Sequence, residues 1–154
     1  MNKLETLTEK FPLLFTDAEQ EPFTLFGFEC GDGWYNIISC ALGTIYHEFR
    51  QAQRQVAYYH TRVQENADDE MAKDHLQRAI MQLDTCQQSL PRFVQIKEKF
   101  GSLCMYYDGG NELVRGVVSM AEALSEITCE ECGAPAHTRP GSWRRTQCDN
   151  CLSK

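Results

Sequence analysis

The sequence predicts an α+β protein: a long antiparallel helical hairpin, a small antiparallel β-hairpin or sheet, a third helix and a C-terminal knuckle of four cysteines. Three observations lead there. Apolar residues recur at heptad spacing through two consecutive stretches between residues 38 and 90. The hydrophobic period changes from helical to strand-like after Pro91. Two Cys-x-x-Cys pairs, Cys129 with Cys132 and Cys148 with Cys151, stand 15 residues apart in the last part of the chain.

Taken in order, LTEKFPLLF suits a short helix that stops before Pro12, because the residue ahead of a proline is pushed out of the α region. FTLFGFECGDGW, residues 23–34, begins with loose alternation that suits a short strand. It then turns through Gly27, Gly31 and Gly33, with Asp32-Gly33 as the turn signal. Trp34 opens the first helical pattern. Ile38, Leu42, Ile45, Phe49, Ala52, Val56, Tyr59 and Val63 follow at alternating spacings of 4 and 3, a seam of nearly four heptads. One uninterrupted helix of roughly 30 residues would be about 45 Å long. ENADDE, residues 65–70, interrupts the pattern, and Ala72, Leu76, Ala79, Leu83, Cys86 and Leu90 form a second seam that Pro91 ends. Two seams joined by a short polar turn predict a hairpin over about 36–90 that projects from the body. The seams pack on each other, or are exchanged between two chains of a homodimer.

After Pro91, strands are expected at about 92–98 and 102–107, joined at Gly101, with Asp108-Gly109-Gly110 ending the second. Asn111 then caps a helix whose Leu113, Val117, Met120, Ala121 and Leu124 share one face. This helix runs into Cys129. The expected organisation is a body of residues 1–128 that carries the hairpin, followed by a zinc-ribbon-like module of residues 129–154.

The cysteine pairs admit three chemistries: disulfides, a redox site or a metal knuckle. No apolar run approaches the roughly 20 residues needed to span a bilayer. MNKLETLTEKFPLLF has neither an uninterrupted apolar region nor a small-residue cleavage site. The expected location is therefore the cytoplasm, with no membrane partner, where thiols stay reduced. A redox Cys-x-x-Cys comes once, near a βαβ pattern, whereas here the motif comes twice without one. Four thiolates from two knuckles suit tetrahedral Zn²⁺, so Cys129, Cys132, Cys148 and Cys151 are the expected ligands of a closed, structural site. His137, between the knuckles, is a weaker ligand candidate. Cys30, Cys40, Cys86 and Cys104 lie singly in apolar contexts and read as buried free thiols.

Net charge is −7. Residues 129–154 hold four basic and three acidic residues, so this segment carries +1 and the remainder −8. An acidic body repels phosphate backbones and suits a protein partner with a basic surface. Nucleic-acid binding is the rival: Trp143 beside Arg144 and Arg145 offers a ring for base stacking and guanidinium groups for phosphate. The competing expectation, which the acidic balance favours, is that Trp143 packs the zinc loop onto the body and the arginines pair with local acids. Glu29 with Asp32, and Asp108 with Glu112, are carboxylates near glycine loops, but Asp-Gly is first a turn signal. There is no Ser-His-Asp order, phosphate loop or His-x-x-x-His pair, so no enzyme is expected. His47, His60 and His75 are expected at the surface of the helical arm.

The order FGFECGDGW, a helix, QIKEKFGSLCMYYDGG, a helix carrying AEALSEITCEECG, then GSWRRTQCDNC resembles an uncharacterised family of small zinc-binding, double Cys-x-x-Cys proteins encoded by bacteriophages and prophages. The resemblance covers both ends of the chain and residues 93–151. Residues from about 50 to 90 are longer than in short members, as an inserted arm would be, and Cys104 stands where the pattern commonly has arginine. The resemblance implies a phage origin, and with it the host cytoplasm. Joined to the projecting hairpin, the acidic body and the metal-clamped tail, it leads to the expectation of a non-enzymatic phage accessory protein that binds and modulates, by inhibition, a host protein complex. A counter-defence inhibitor is the most specific form of that expectation.

Overall fold

The computed structural model describes residues 3–15 and 25–153. The expected strand start at residues 23–24 lies outside the described residues. The fold class is α+β. Its helices are α1 (Thr6–Lys10), α2 (Tyr35–Ile45), α3 (His47–Glu65), α4 (Glu70–Gln88), α5 (Glu112–Ser125) and α6 (Asp149–Leu152). Strands β1 (Phe28–Glu29), β2 (Arg92–Lys99) and β3 (Ser102–Asp108) form one sheet, and β4 (His137–Arg139) pairs with β5 (Arg145–Gln147). The β2–β3 pairing is antiparallel, as the period change predicts, with an irregularity between Phe93 and Gln95. The sheet is mixed, because β1 adds to β2 in parallel. No helix among the described residues is long and apolar enough to cross a membrane.

The body packs around side chains drawn from every part of the chain. Leu4, Leu7, Phe11, Leu14, Trp34, Ile38, Leu42, Phe93, Ile96 and Leu103 have no exposed surface. α5 lies along β3 and satisfies the edge of the sheet with its own side chains. Ser125 Oγ accepts from the Leu103 N–H at 2.8 Å, and Glu122 Oε1 from the Met105 N–H at 2.9 Å. Ser102 Oγ donates to Glu126 Oε1 at 3.1 Å. The unpaired rim of β3 is thereby closed to other strands, the usual hazard of a sheet edge.

The first seam is one pattern but two helices. The chain leaves helical assignment at Tyr46, so the single 45 Å rod is replaced by an 11-residue α2 and a 19-residue α3, the latter about 28 Å long. Gly43 and the Thr44 hydroxyl, which donates to the Cys40 carbonyl at 2.9 Å, weaken the helix just before the break. Tyr46 is buried and meets Phe11 edge-on at 5.6 Å. α2 packs against α5 in the body, whereas α3 packs along α4 in the arm. Within the arm the buried seam residues are Phe49, Ala52, Ala72, Ala79 and Cys86. Three alanines let the helices approach closely, and Val56, Tyr59, Leu76 and Leu83 flank them half-buried. His75 departs from expectation. It is half-buried and stacks on Tyr59 at 5.1 Å, because its helical position turns it toward that ring. His47 and His60 are exposed as expected.

The arm's tip is closed by one side chain. Asp69 Oδ1 accepts from the Ala72 N–H at 2.9 Å as the N-cap of α4, and Asp69 Oδ2 pairs with Arg62 at 2.9 Å. Asp69→Ala is expected to weaken the arm by about 1 kcal/mol, the usual value of such a cap. Hydrogen exchange should quicken in α3 and α4 and remain unchanged in β2, β3 and α5.

Candidate metal centre

Cys129 follows α5 after a short turn that ends at Thr128. The first knuckle is held by its own backbone. The Cys129 N–H donates to the Ala134 carbonyl at 2.7 Å, and the Gly133 N–H donates to the Cys129 carbonyl at 2.8 Å. Cys148 precedes α6 and Cys151 lies on it, so the first turn of that helix carries the second pair. The four sulfurs lie within 4.8 Å of one another, with Cys132 and Cys148 at 3.6 Å. A tetrahedral thiolate site with bonds of ~2.3 Å has sulfurs about 3.8 Å apart, so the cluster fits a metal ion with little adjustment. Cys129, Cys148 and Cys151 are buried and Cys132 is exposed.

The thiols differ electrostatically. Burial pushes Cys129 up, but hydrogen bonds from the backbone at Cys148, Cys132 and Glu131 outweigh it and bring the thiol down to about 7. Cys30, close by, goes the other way. Burial first, then the charges of Glu130 and Asp32, push it up to about 12, so it stays a neutral thiol. His137 lies on β4, exposed and outside the cysteine cluster.

The centre is locked to the body by the loop read from sequence only as a turn. Gly31 N–H donates to Glu130 Oε1 at 3.0 Å, and Gly33 N–H to the Glu130 carbonyl at 2.8 Å. The Trp34 indole N–H donates to the Thr128 carbonyl at 2.8 Å, and the ring is fully buried. From the other side, the Glu130 N–H donates to the Thr146 carbonyl at 3.0 Å, while Thr146 Oγ1 donates to the Gly101 carbonyl at 2.6 Å. The β2–β3 turn, the loop before α2 and strand β5 therefore meet on one knuckle. Glu130 is half-buried, and burial raises its pKa although the Gly31 N–H opposes the shift. Sequence reasoning missed Gly31, Gly33 and Trp34 as knuckle contacts. Their signal was two glycines and a tryptophan crowded into four residues.

The remaining cysteines correct the expectation of buried thiols. Only Cys86 is buried; Cys40 is exposed, and Cys30 and Cys104 are intermediate. Cys40 falls on the outer edge of α2, and Cys104 on the sheet face away from the core, opposite Lys97. The carboxylates weighed as catalytic groups are held apart in structural contacts. Glu29 accepts from Gln95, Asp108 pairs with Arg92 and Glu112 pairs with Arg115. Trp143 is 71% exposed and does not pack the loop onto the body, and Arg144 and Arg145 are exposed beside it. The chain matches no family model, no curated protein and no solved structure.

A Cβ placed on Gly33 would lie 2.2 Å from the Cys129 carbonyl oxygen and 2.6 Å from the Gly133 nitrogen. Gly33→Ala is therefore expected to lower the stability of the metal-loaded protein by at least about 2–3 kcal/mol, because backbone on both sides must shift. Gly116→Ala, inside α5 and facing open space, is expected to stabilise it by roughly 0.5–1 kcal/mol. Thermal unfolding of the two variants beside the parent checks both signs.

Proposed function

We propose that this chain is a non-enzymatic binding protein. In this reading its cysteine cluster holds a structural Zn²⁺, and its helices dock on a host protein complex and modulate it by inhibition, as a phage counter-defence protein would. The chemistry of the donor set supports zinc: four sulfurs, three of them buried, with no neighbouring carboxylate among the ligand atoms. A bound Zn²⁺ would hold four thiolates in a closed site and fix the end of α5, the turn before α6 and the loop before α2.

The observation that carries the binding role is an apolar groove of about 250 Å³ between α2 and α5, lined by Ile37, Cys40, Ala41, Val117, Met120 and Leu124. α5 is amphipathic twice over. Val114, Val117, Val118 and Ala121 face the core, yet Leu113, Met120 and Leu124 beside them are 43%, 60% and 41% exposed. Leu113, Val117, Met120, Leu124 and Ile127 repeat at spacings of 4 and 3, the pattern by which one helix receives another. α2 carries no charged residue, and the adjoining hollow is bordered by Glu48. The occupant that fits is an amphipathic helix of a partner protein with basic residues flanking its apolar face. A second copy of this chain, itself at −7, is the poorer match. The projecting arm offers a further contact through exposed Tyr58 and Met71 near its tip.

Purified protein is expected to carry one zinc per chain by elemental analysis, lost when Cys129 and Cys148 are both changed to serine. Nuclease-treated bacterial lysate should yield a stoichiometric protein partner with the parent chain. Met120→Asp is expected to lose that partner, as is deletion of residues 60–75, with zinc content unchanged in both. Full retention by Met120→Asp removes the groove from the proposal. Full retention by the deletion removes the arm.

A further inference from the structure

The turn between β2 and β3 breaks two rules at once. Phe100 and Gly101 form a two-residue hairpin turn, flanked by the Lys99–Ser102 pair, with φ of +55° and +88°. Both residues sit in the left-handed region, which a mirror-image hairpin turn requires and which asparagine followed by glycine satisfies best. A phenylalanine in the first position is strained by its Cβ. Its ring is also 72% exposed, so no burial offsets that strain. Among the described residues Phe100 is the one non-glycine residue with positive φ. Such outliers cluster at functional sites.

Its surroundings hold further exposed rings and cations. A Cβ on Gly101 would lie 3.0 Å from Thr138 Cγ2 and 3.6 Å from the Arg144 carbonyl carbon, so the tip of the β2–β3 hairpin touches that of the β4–β5 hairpin. Trp143, 71% exposed, stands on the second tip. On the outward sheet face Lys97 Nζ lies 5.5 Å from the ring of Tyr106, itself 40% exposed, and Lys99 Nζ lies 5.8 Å from the ring of Phe100. Arg144 and Arg145 complete the set. None of these four cations forms an ion pair among the described residues. Of the nearby acids, Glu29 accepts from Gln95, Glu98 accepts from the Gly101 N–H at 2.6 Å, and Glu130, which accepts from the Gly31 N–H, also feels the charge of Arg145. Three exposed aromatic residues and four cations outside any salt bridge among the described residues lie on two touching hairpins, in a chain that is otherwise strongly acidic.

We infer that Phe100, Tyr106 and Trp143, with Lys97, Lys99, Arg144 and Arg145, form a composite binding site for single-stranded nucleic acid. Unstacked bases lie on the rings and phosphates meet the cations. Duplex ligands are disfavoured, because their bases are already stacked and cannot reach the rings. The acidic remainder of the chain confines the footprint to a few nucleotides. This site lies on elements separate from the α2–α5 groove and stands independently of the protein-binding role.

The test is fluorescence anisotropy with end-labelled twelve-nucleotide oligothymidine, oligouridine and a duplex of the same length. The parent protein is expected to bind one or both single strands and to bind the duplex more weakly; the two single strands distinguish DNA from RNA as the ligand. At about 0.7 counterions per contact, four phosphate contacts weaken binding up to about 50-fold between 50 and 200 mM salt. Trp143→Ala and Phe100→Asn are each expected to weaken binding at least about fivefold. Phe100→Asn should at the same time leave the melting temperature unchanged or raised, because asparagine suits the turn. A merely structural Phe100 would lower it. Arg144→Ala with Arg145→Ala should reduce the salt slope by roughly 1.4. The inference is overturned by no binding at 50 mM salt, by duplex binding equal to single-strand binding, or by affinity that Phe100→Asn and Trp143→Ala leave intact.

Discussion

The contact between the Gly31–Trp34 loop and the Cys129–Gly133 knuckle is the constraint from which the rest of the molecule takes its shape. The loop carries only a single 3-10 turn, Asp32–Trp34, and the knuckle lies between α5 and β4. The loop's amide groups at Gly31 and Gly33 are satisfied by Glu130, and its tryptophan by Thr128. Backbone approaches backbone so closely that only glycine fits at position 33. A metal drawing the four sulfurs together would stiffen the knuckle, the knuckle fixes the loop, and the loop sets where α2 begins. α2 leads into α3, and α3 with α4 makes the arm. Metal binding in small cysteine sites contributes on the order of 10 kcal/mol to order that the chain alone lacks. Here such order would reach beyond the tail, because the loop before α2 and strand β5 are hydrogen-bonded to the knuckle.

The elements that announced themselves in the sequence are those whose pattern is local. The two seams, the period change after Pro91, the Asn111 cap and the paired cysteines each lie within one stretch, and each has a physical cause readable there. Features that depend on distant parts of the chain did not announce themselves. The heptad pattern runs through Tyr46 without a break, because the same face stays apolar while its packing partner changes from α5 to α4. Gly31 and Gly33 looked like turn residues because glycine's use in a turn and its use under a neighbouring backbone leave the same letter. β1 is two residues long and pairs in parallel with a strand nearly seventy residues later, a contact no local period encodes. The cysteines divide on the same principle. The four with motif spacing cluster, whereas Cys40 and Cys104 took exposure from faces that only the assembled fold defines.

Among the described residues no buried side-chain nitrogen or oxygen lacks a partner. That matters for interpreting the metal centre. Glu130, Thr146 and Ser125 are bonded to the body and the four thiols face one another, the arrangement a closed structural metal site would have.

Local sequence and global fold agree through most of this chain, and a sequence that folds well is expected to agree with itself at every level. Two places do not agree. α5 presents a second apolar seam to solvent beside the one it buries, and a phenylalanine occupies a left-handed turn position with its ring in water. Each choice works against folding, since a polar residue in the first case and asparagine in the second would serve the structure better. Disagreements of this kind are expected at functional or strained sites. Their positions are instructive together. Both flank the knuckle at one remove: α5 runs into Cys129, and the Phe100 turn is held by Thr146, whose carbonyl binds Glu130. A metal held by the four cysteines would therefore fix two exposed, locally unfavourable surfaces in position, one along α5 and one at the β2–β3 turn.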